Sequence, residues 1–454
     1  MESDLSQAFQ EELTCFNCMS YRTDPVTISC THSFCRDCLH LSWEDSQIPV
    51  QCPMCREPSQ QKDFRTSIVL KKLVSITRQA SFMKYLISEE NKCVTHKETK
   101  GIFCMENSIY LCRLCSDSHD HKGHRHCPIE AAAEDQMERL LQQMTSLWEK
   151  IQENQENLEE ESRVKSLFID YLIMREEMIR KEYRKLHAVI WEKKEEHIEC
   201  MNNEGNRVLK KLRKNEAMMI RKNKQLREMY QELMAMTQEP YVVLLQGLDD
   251  MFTRSESMQL SIPRGMKPEL SALPITGLTE RFSYFKVDIS FENVTVFHCK
   301  KNLFNIMRRF NFRHQHQDTT VDPDGIYLAS WGSRSFISAK YYWELDLKDT
   351  WDWAVGVCTN SWFGLEIQTK RLKLRVHSFF FCVKEGNHYS LLTTNPVFCH
   401  YIEKPLGQVG VLLDCEAGYL SFLNIAKSSF IYKYPNGTFT DAVWPFFSSG
   451  QTKP

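Results

Sequence analysis

Residues 30–38 read CTHSFCRDC, so three cysteines and one histidine lie within nine residues. A catalytic thiol needs only one cysteine beside a base, and disulfide frameworks belong to oxidising compartments. Metal ligation explains this density best, because thiolate and imidazole groups are the donors that zinc prefers. The flanking sequence indicates which kind of metal module the segment forms.

Around this segment, eight potential zinc ligands occur in closely spaced pairs. Their order is Cys-x2-Cys, Cys-x-His-x2-Cys-x2-Cys and Cys-x2-Cys, at Cys15, Cys18, Cys30, His32, Cys35, Cys38, Cys52 and Cys55. Eight ligands fill two tetrahedral zinc sites. The same eight ligands could also belong to an unrelated treble-clef or LIM-like zinc module. With every cysteine assigned to metal, no nucleophile remains for a covalent intermediate.

A second run of potential ligands follows after residue 92. The pattern is Cys93-x2-His96-x7-Cys104-x2-Asn107-x4-Cys112-x2-Cys115-x5-His121-x2-His124. Asn107 interrupts an otherwise regular series, because its neutral side chain offers only an amide oxygen. The zinc site that includes position 107 is therefore either weaker than the others or completed by a neighbouring group such as Glu106.

The composition places the protein among soluble intracellular chains. Its 454 residues carry a net charge of −2, which gives no electrostatic reason to expect nucleic acid or membrane as a partner. The N-terminal MESDLSQAFQEEL lacks the basic and then apolar pattern of a secretory signal. We therefore expect a cytoplasmic protein whose cysteines are reduced.

A long helix is predicted over residues 129–239, because only one glycine, Gly205, and no proline occur there. As one continuous helix, this segment would be about 165 Å long. Apolar residues recur every seven positions at Met137, Met144, Ile151 and Leu158, every eleven at Phe168, Ile179, Ile190, Met201 and Leu212, and every seven again through Met219, Leu226 and Leu233.

The order of these periods is nearly symmetric about residues 185–190. When two chains pair antiparallel, seven-residue repeats lie against seven-residue repeats and eleven-residue repeats lie against eleven-residue repeats. We therefore predict an antiparallel homodimer with Leu186 and Ile190 close to its two-fold axis. The alternative is a monomeric helix that folds back on its own globular domains.

Beyond Pro240 the sequence changes to aromatic and β-branched runs separated by turn residues. The segments 341–347 (YYWELDL), 353–358 (WAVGVC), 408–414 (QVGVLLD) and 419–425 (YLSFLNI) read as strands, with a turn at 415–418. They predict an all-β sandwich. Candidate binding loops are residues 312–326, 359–372 and 384–390.

Together these segments resemble the tripartite-motif (TRIM) family, whose order is RING, B-box, coiled coil and PRY-SPRY. The resemblance implies a multidomain fold: a RING-type zinc finger at 10–60, a type 2 B-box at 88–128, a coiled coil at 129–239, a linker at 240–269 and a PRY-SPRY domain at 270–454. It also implies interleaved zinc sites, held by Cys15, Cys18, Cys35 and Cys38; by Cys30, His32, Cys52 and Cys55; by Cys93, His96, Cys112 and Cys115; and by Cys104, position 107, His121 and His124.

The resemblance further implies a RING-type E3 ubiquitin ligase that positions a ubiquitin-charged conjugating enzyme and recruits a protein target through its PRY-SPRY domain. Arg56 matches the cationic residue that bridges enzyme and ubiquitin. Pro53, Trp43 and Asn17 are expected at the conjugating-enzyme contact, where the family usually has an aliphatic residue instead of Asn17. The alternative is an assembly or restriction scaffold with little ligase activity. A zinc-dependent nucleic-acid binder is disfavoured by the neutral charge.

Overall fold

The computed structural model describes residues 11–43, 50–59, 65–86, 91–184, 191–237, 239, 244–245, 248–298, 304, 326–347, 352–359, 378–385, 388–403, 406–438 and 441–451. The chain forms two compact units. The first contains residues 1–155 and 218–263, and the second contains residues 156–217 and 264–454.

The first unit begins with a small domain of short strands and one helix. Strands β1 (Pro25–Thr27), β2 (Ser33–Cys35) and β5 (Arg65–Thr66) form one sheet, and β3 (Val50–Gln51) pairs with β4 (Pro58–Ser59). Helix α1 (Arg36–Trp43) follows β2 directly, and helix α2 (Ile68–Leu86) follows β5. Cysteines form a large part of the small core, as expected for a domain that needs metal to fold.

A second small module follows in the same unit. Strands β6 (Ile102–Cys104), β7 (Ile109–Leu111) and β8 (His126–Pro128) form its sheet, and α3 (Arg113–Ser116) is a single helical turn.

The long helical segment consists of two antiparallel helices, α4 (Ile129–Tyr183) and α5 (Trp191–Met236). In the second unit, Lys165 of α4 pairs with Glu216 of α5 at 2.6 Å. Tyr183 Oη lies 3.3 Å from His197 Nδ1. In one continuous helix residues 183 and 197 would be about 21 Å apart, so the prediction of an unbroken helix over 129–239 is wrong for this structure, in which α4 and α5 lie side by side.

Burial follows most of the predicted apolar periodicity, although Met137 and Leu158 are only partly buried. Met144, Ile151, Leu226 and Leu233 are buried where the helices pack in the first unit. In the second unit, the residues at eleven-residue spacing that are buried are Phe168, Ile179, Met201 and Leu212. Leu186 and Ile190, predicted near a two-fold axis, lie outside the described residues.

Residues 240–269 are more than the linker that we expected. Helix α6 (Leu248–Gln259) lies within them. Its Leu248 and Phe252 are buried in the core that α4 and α5 share in the first unit. This helix has only twelve residues, fewer than two heptads, so it is too short for an apolar repeat in the sequence to indicate it.

The C-terminal part is the predicted all-β sandwich, preceded by the short helix α7 (Leu278–Ser283). In the described part of the chain, one sheet has seven strands in the order β15-β14-β13-β12-β19-β10-β9 and the other has four in the order β11-β16-β17-β18. The strands are β9 (Phe291–His298), β10 (Ile326–Gly332), β11 (Lys340–Asp346), β12 (Trp353–Thr359), β13 (Ser378–Glu385), β14 (His388–Thr393), β15 (Phe398–His400), β16 (Gln408–Asp414), β17 (Tyr419–Asn424), β18 (Ser429–Lys433) and β19 (Val443–Gln451).

All four strands expected from the sequence are present, as β11, β12, β16 and β17. Between β16 and β17, Asp414 pairs with Tyr419, so the predicted turn is a tight hairpin connection. The candidate binding loops lie outside the described residues except at positions 326, 359, 384–385 and 388–390, which belong to strands.

In the second unit the middle of the helical pair packs on the sandwich. Tyr171 of α4 is fully buried, and its ring meets the ring of His400 edge-on at 5.9 Å. Arg175 donates a hydrogen bond from Nη1 to the carbonyl oxygen of Ile431 at 3.2 Å. Helices and sandwich therefore share one hydrophobic core. No helix in the described part of the chain combines the length and apolar character needed to cross a membrane.

Candidate metal centres and docking groove

The first candidate metal centre brings together four cysteines from two separate segments. The sulfur atoms of Cys15, Cys18, Cys35 and Cys38 all lie within 4.8 Å of one another. Cys18 Sγ and Cys35 Sγ are 3.8 Å apart. Ligands of a tetrahedral zinc with Zn–S bonds of about 2.3 Å lie about 3.8 Å apart, so the donor set and its spacing fit zinc.

The second centre combines Cys30, His32, Cys52 and Cys55, whose ligand atoms also lie within 4.8 Å of one another. His32 Nδ1 lies 3.4 Å from Cys30 Sγ and 3.7 Å from Cys52 Sγ. The two ligand sets alternate along the chain. A missing ion at either centre would therefore leave the whole small domain without support.

The crowding of thiols at the first centre perturbs their acidity. Hydrogen bonds with the thiols of Cys18, Cys35 and Cys38 lower the pKa of Cys15. Hydrogen bonds with Cys15 and Cys18 raise the pKa of Cys35. Four neighbouring sulfur atoms cannot all become thiolates without a nearby cation, and a divalent metal supplies that charge.

A common backbone turn presents the ligand pairs. In four of the pairs, the residue after the second member has a positive φ angle, at Met19, Arg56, Lys97 and Ser108. In each turn, the backbone N–H of that residue donates to the carbonyl oxygen of the first ligand over 2.8 to 2.9 Å. The turn that contains Asn107 therefore has the same geometry as the three turns whose second residue is Cys18, Cys55 or His96.

The third centre has the donor set predicted for the first site of the second module. Cys93, His96, Cys112 and Cys115 lie together, with the sulfur atoms of Cys93 and Cys115 3.8 Å apart. His96 Nδ1 lies 3.4 Å from Cys112 Sγ. The separation again fits a tetrahedral zinc ion.

The fourth centre gathers Cys104, His121 and His124. Asn107 Oδ1 lies 3.5 Å from Cys104 Sγ, whereas the nearest oxygen of Glu106 lies 4.0 Å away. The Glu106 carboxylate also accepts hydrogen bonds from the backbone N–H of Arg125 at 2.8 Å and from its Nε at 3.2 Å. Asn107 is therefore the better-placed fourth donor of the two alternatives.

The residues predicted to contact a conjugating enzyme occupy different environments. Arg56 is exposed and follows Cys55 directly, and Pro53 is partly exposed. Asn17 is exposed, and its amide donates to the carbonyl oxygen of Cys38 at 3.3 Å. This bond gives the amide the partner that a polar group needs in an apolar groove.

Trp43 is not available for the predicted contact. Only 3% of it is exposed, and its indole N–H donates to the carbonyl oxygen of Gln51 at 2.8 Å. The groove beside Asn17 is formed instead by α1 residues one and two positions earlier. Its cavity of about 630 Å³ is lined by Phe16, Asn17, Cys18, Cys38, Leu41, Ser42 and Met234.

Sequence reasoning missed four of these lining residues, Phe16, Leu41, Ser42 and Met234. Helical spacing is the signal that could have identified Ser42, because it lies four positions after the ligand Cys38 and therefore on the same face of α1. Met234 lies on α5, far from the RING ligands in the sequence, so local spacing could not indicate that it lines the groove.

Comparison with known proteins gives two matching family descriptions. Residues 15–55 match "Zinc finger, C3HC4 type (RING finger)", and residues 340–453 match "SPRY domain". Tripartite motif-containing protein 43B of Mus musculus is 45% identical over 100% of this chain and 100% of its own length. Putative tripartite motif-containing protein 49B of Homo sapiens is 42% identical over 98% of this chain and 99% of its own length.

Proposed function

We propose that this chain, which belongs to the tripartite-motif (TRIM) family, is an E3 ubiquitin ligase. Its RING and SPRY domains support a ubiquitin-ligase-type role at the level of the family. In the proposed reaction, the RING domain binds a ubiquitin-charged conjugating enzyme and the PRY-SPRY domain recruits the protein that receives ubiquitin.

One observation carries this proposal: every cysteine of the RING belongs to a cluster of four metal ligands. No thiol is left to form a thioester with ubiquitin. Catalysis by this domain therefore rests on positioning the bound thioester, which lowers the entropic part of the barrier without a covalent intermediate.

We propose that the chain binds four zinc ions, two in the RING domain and two in the B-box. When bound, zinc supplies structural cross-links and takes no part in ubiquitin transfer. The chain's own residues then act on the substrate. The exposed guanidinium of Arg56 can contact enzyme and ubiquitin together because of its planar fork of donors. Pro53 and Asn17 provide neighbouring contacts.

Target recruitment is assigned to the PRY-SPRY domain. We retain the antiparallel homodimer as part of the proposal, because two target-binding domains in fixed geometry would bind an oligomeric target with avidity. We also propose a cytoplasmic location, because zinc-bound thiolates stay reduced in that compartment.

Self-ubiquitination of the full-length chain tests the proposal. We expect Arg56→Ala to reduce ubiquitin chain formation about tenfold or more while the zinc content stays the same. Cys15→Ala should abolish both activity and one or both RING zinc ions. Arg65→Ala, which removes another exposed arginine of the RING region, is the matched control and should retain activity.

The second candidate function is an assembly scaffold with little ligase activity. Asn17 favours it, because a polar side chain replaces the usual aliphatic contact in the groove. Failure of wild-type protein to form ubiquitin chains with any of a broad panel of conjugating enzymes, despite full zinc content, would support the scaffold over the ligase.

A further inference from the structure

Within the first unit, RING helix α1 packs against helices α4 and α5. Asp37 of α1 accepts a hydrogen bond from the Tyr230 hydroxyl, and both side chains are buried. The ring of His40 stacks on the Trp148 indole, with centroids 4.7 Å apart and planes 17° apart. Trp148 also lies against Tyr230, with a centroid separation of 5.4 Å. Polar and aromatic contacts thus hold the RING in a defined orientation on the helices.

The same contact reaches the groove beside Asn17. Met234 of α5 packs against the RING core and forms one wall of the groove. From the opposite direction, Leu41 of α1 packs into the core of the helical pair. One of the apolar residues that line the groove is therefore already engaged by the helices.

A conjugating enzyme needs more surface than this groove leaves free. Specific protein interfaces usually bury about 800 Å² on each partner, so the enzyme must extend beyond the groove. On the side of Leu41 and Met234 that extension meets α5. The helices and the conjugating enzyme would thus bind to overlapping surfaces of the RING.

We infer that the contact of α1 with Trp148, Tyr230 and Met234 is autoinhibitory: the RING must leave the helices before a conjugating enzyme occupies the groove. This inference rests on the proposed ligase function. If the docked state outweighs the released state about tenfold, the apparent dissociation constant of the enzyme rises by the same factor. Conditions that weaken the contact would then activate the ligase.

The test uses full-length, zinc-loaded protein and measures its affinity for a ubiquitin-conjugating enzyme by isothermal titration calorimetry. Tyr230→Phe removes the hydrogen bond to Asp37 with minimal change in shape, and Met234→Lys places a charge at the groove wall. We expect each variant to bind the enzyme about tenfold more tightly than wild type. Met218→Lys is the matched control, because Met218 is 44% exposed on the same helix, and it should bind like wild type.

Circular dichroism and metal analysis establish that each variant keeps its helices and its zinc. Tighter binding by both released variants, abolished when Phe16→Asp is added in the groove, supports the inference. Equal affinity of wild type and both variants overturns it and leaves the ligase proposal intact. Absence of binding by all forms, including the released variants, overturns the proposed function and the inference with it.

Discussion

At the scale of single residues, Asn107 would set the charge of the proposed fourth zinc centre, which it shares with Cys104, His121 and His124. A thiolate, two neutral imidazoles and a neutral amide leave a bound Zn²⁺ with one net positive charge. The turn around Asn107 matches the other ligand turns, so the backbone does not distinguish this site from them. The difference lies in the donor atom alone.

Asn107→Asp should raise the zinc affinity of the fourth centre, because a carboxylate adds negative charge to the donor set at the same position. We expect zinc release to a chelator to slow by about tenfold or more. Asn107→Ala should speed release, whereas Glu106→Gln should change it little, because Glu106 is bound to Arg125. Chelator kinetics with metal analysis measure these effects. Loss of zinc from Glu106→Gln but not from Asn107→Ala would contradict the assignment.

His400 is a second residue with a measurable consequence. It is 2% exposed and is surrounded by Tyr171, Tyr432 and Thr393, with Arg175 as the nearby charge. Burial, with a smaller contribution from Arg175, lowers the pKa of His400 to about 3. The imidazole is therefore neutral in the folded domain well below the pH at which an unfolded histidine takes up a proton.

Folding stability should consequently fall as the pH drops below about 6.5, the ordinary pKa of histidine. The unfolded state binds a proton that the folded state excludes, so acidification from high pH to pH 5.5 lowers the free energy of unfolding by about 1 kcal/mol through this residue. Urea unfolding followed by tryptophan fluorescence at pH 7.5 and 5.5 measures the loss. His400→Gln should lose less on acidification than wild type. The exposed control His119→Gln should behave like wild type, and equal losses in all three proteins would refute this account.

At the scale of elements, features set by local spacing could be predicted from the sequence, whereas features set by contacts between distant segments could not. The zinc ligands were predictable because short turns and fixed ligand pairs bring donors together without distant information. The strands β11, β12, β16 and β17 were predictable from their β-branched and aromatic composition. Trp43 was assigned to the wrong surface because the fold of residues 50–51, rather than helical position alone, buries its indole.

The direction of the helical segment was the main error at this scale. The order of the seven- and eleven-residue repeats is symmetric about residues 185–190. Repeats of the same length therefore pack against each other whether two chains pair or one chain folds back. Both arrangements, two paired continuous helices and one chain folded back, bury the same residues. The apolar pattern in the sequence therefore could not distinguish between them. Gly205 is consistent with close helix packing, since a Cβ atom there would lie 2.8 Å from a Leu172 methyl group on α4.

A polar layer should fix the register of α4 against α5. Asn154 is fully buried, and its amide donates to the carbonyl oxygen of Met219 at 3.0 Å. Asn154→Leu should raise the free energy of unfolding by about 1 kcal/mol and broaden the distribution of oligomers, because buried asparagine gives register at a cost in stability. Thermal denaturation and light scattering measure the two effects. The exposed control Asn206→Leu should leave the oligomeric state unchanged, and a destabilised Asn154→Leu with unchanged assembly would contradict the prediction.

At the scale of the whole molecule, the helical hairpin and the proposed antiparallel homodimer are related by exchange of one helix. In both arrangements, Lys165 of α4 can face Glu216 of α5, either in the same chain or in another chain. Exchange of identical elements preserves the interface and changes only the connection between the helices. The buried residues of the helices are therefore compatible with a dimer, and chain identity at a single contact distinguishes the two arrangements.

A photo-crosslinking amino acid at position 165 should separate them, because its target region on α5 is the same in both. Irradiation of the full-length protein yields a product of 53.5 kDa if the contact lies within one chain and twice that mass if it joins two chains. We expect the double-mass product, since the proposed target binding by two domains requires a dimer. The fraction of this product should rise with protein concentration, and placing the probe at exposed Arg207 should reduce it sharply. Crosslinking at position 165 that gives only the single-chain product at every concentration would exclude the dimer and leave the hairpin as the functional state.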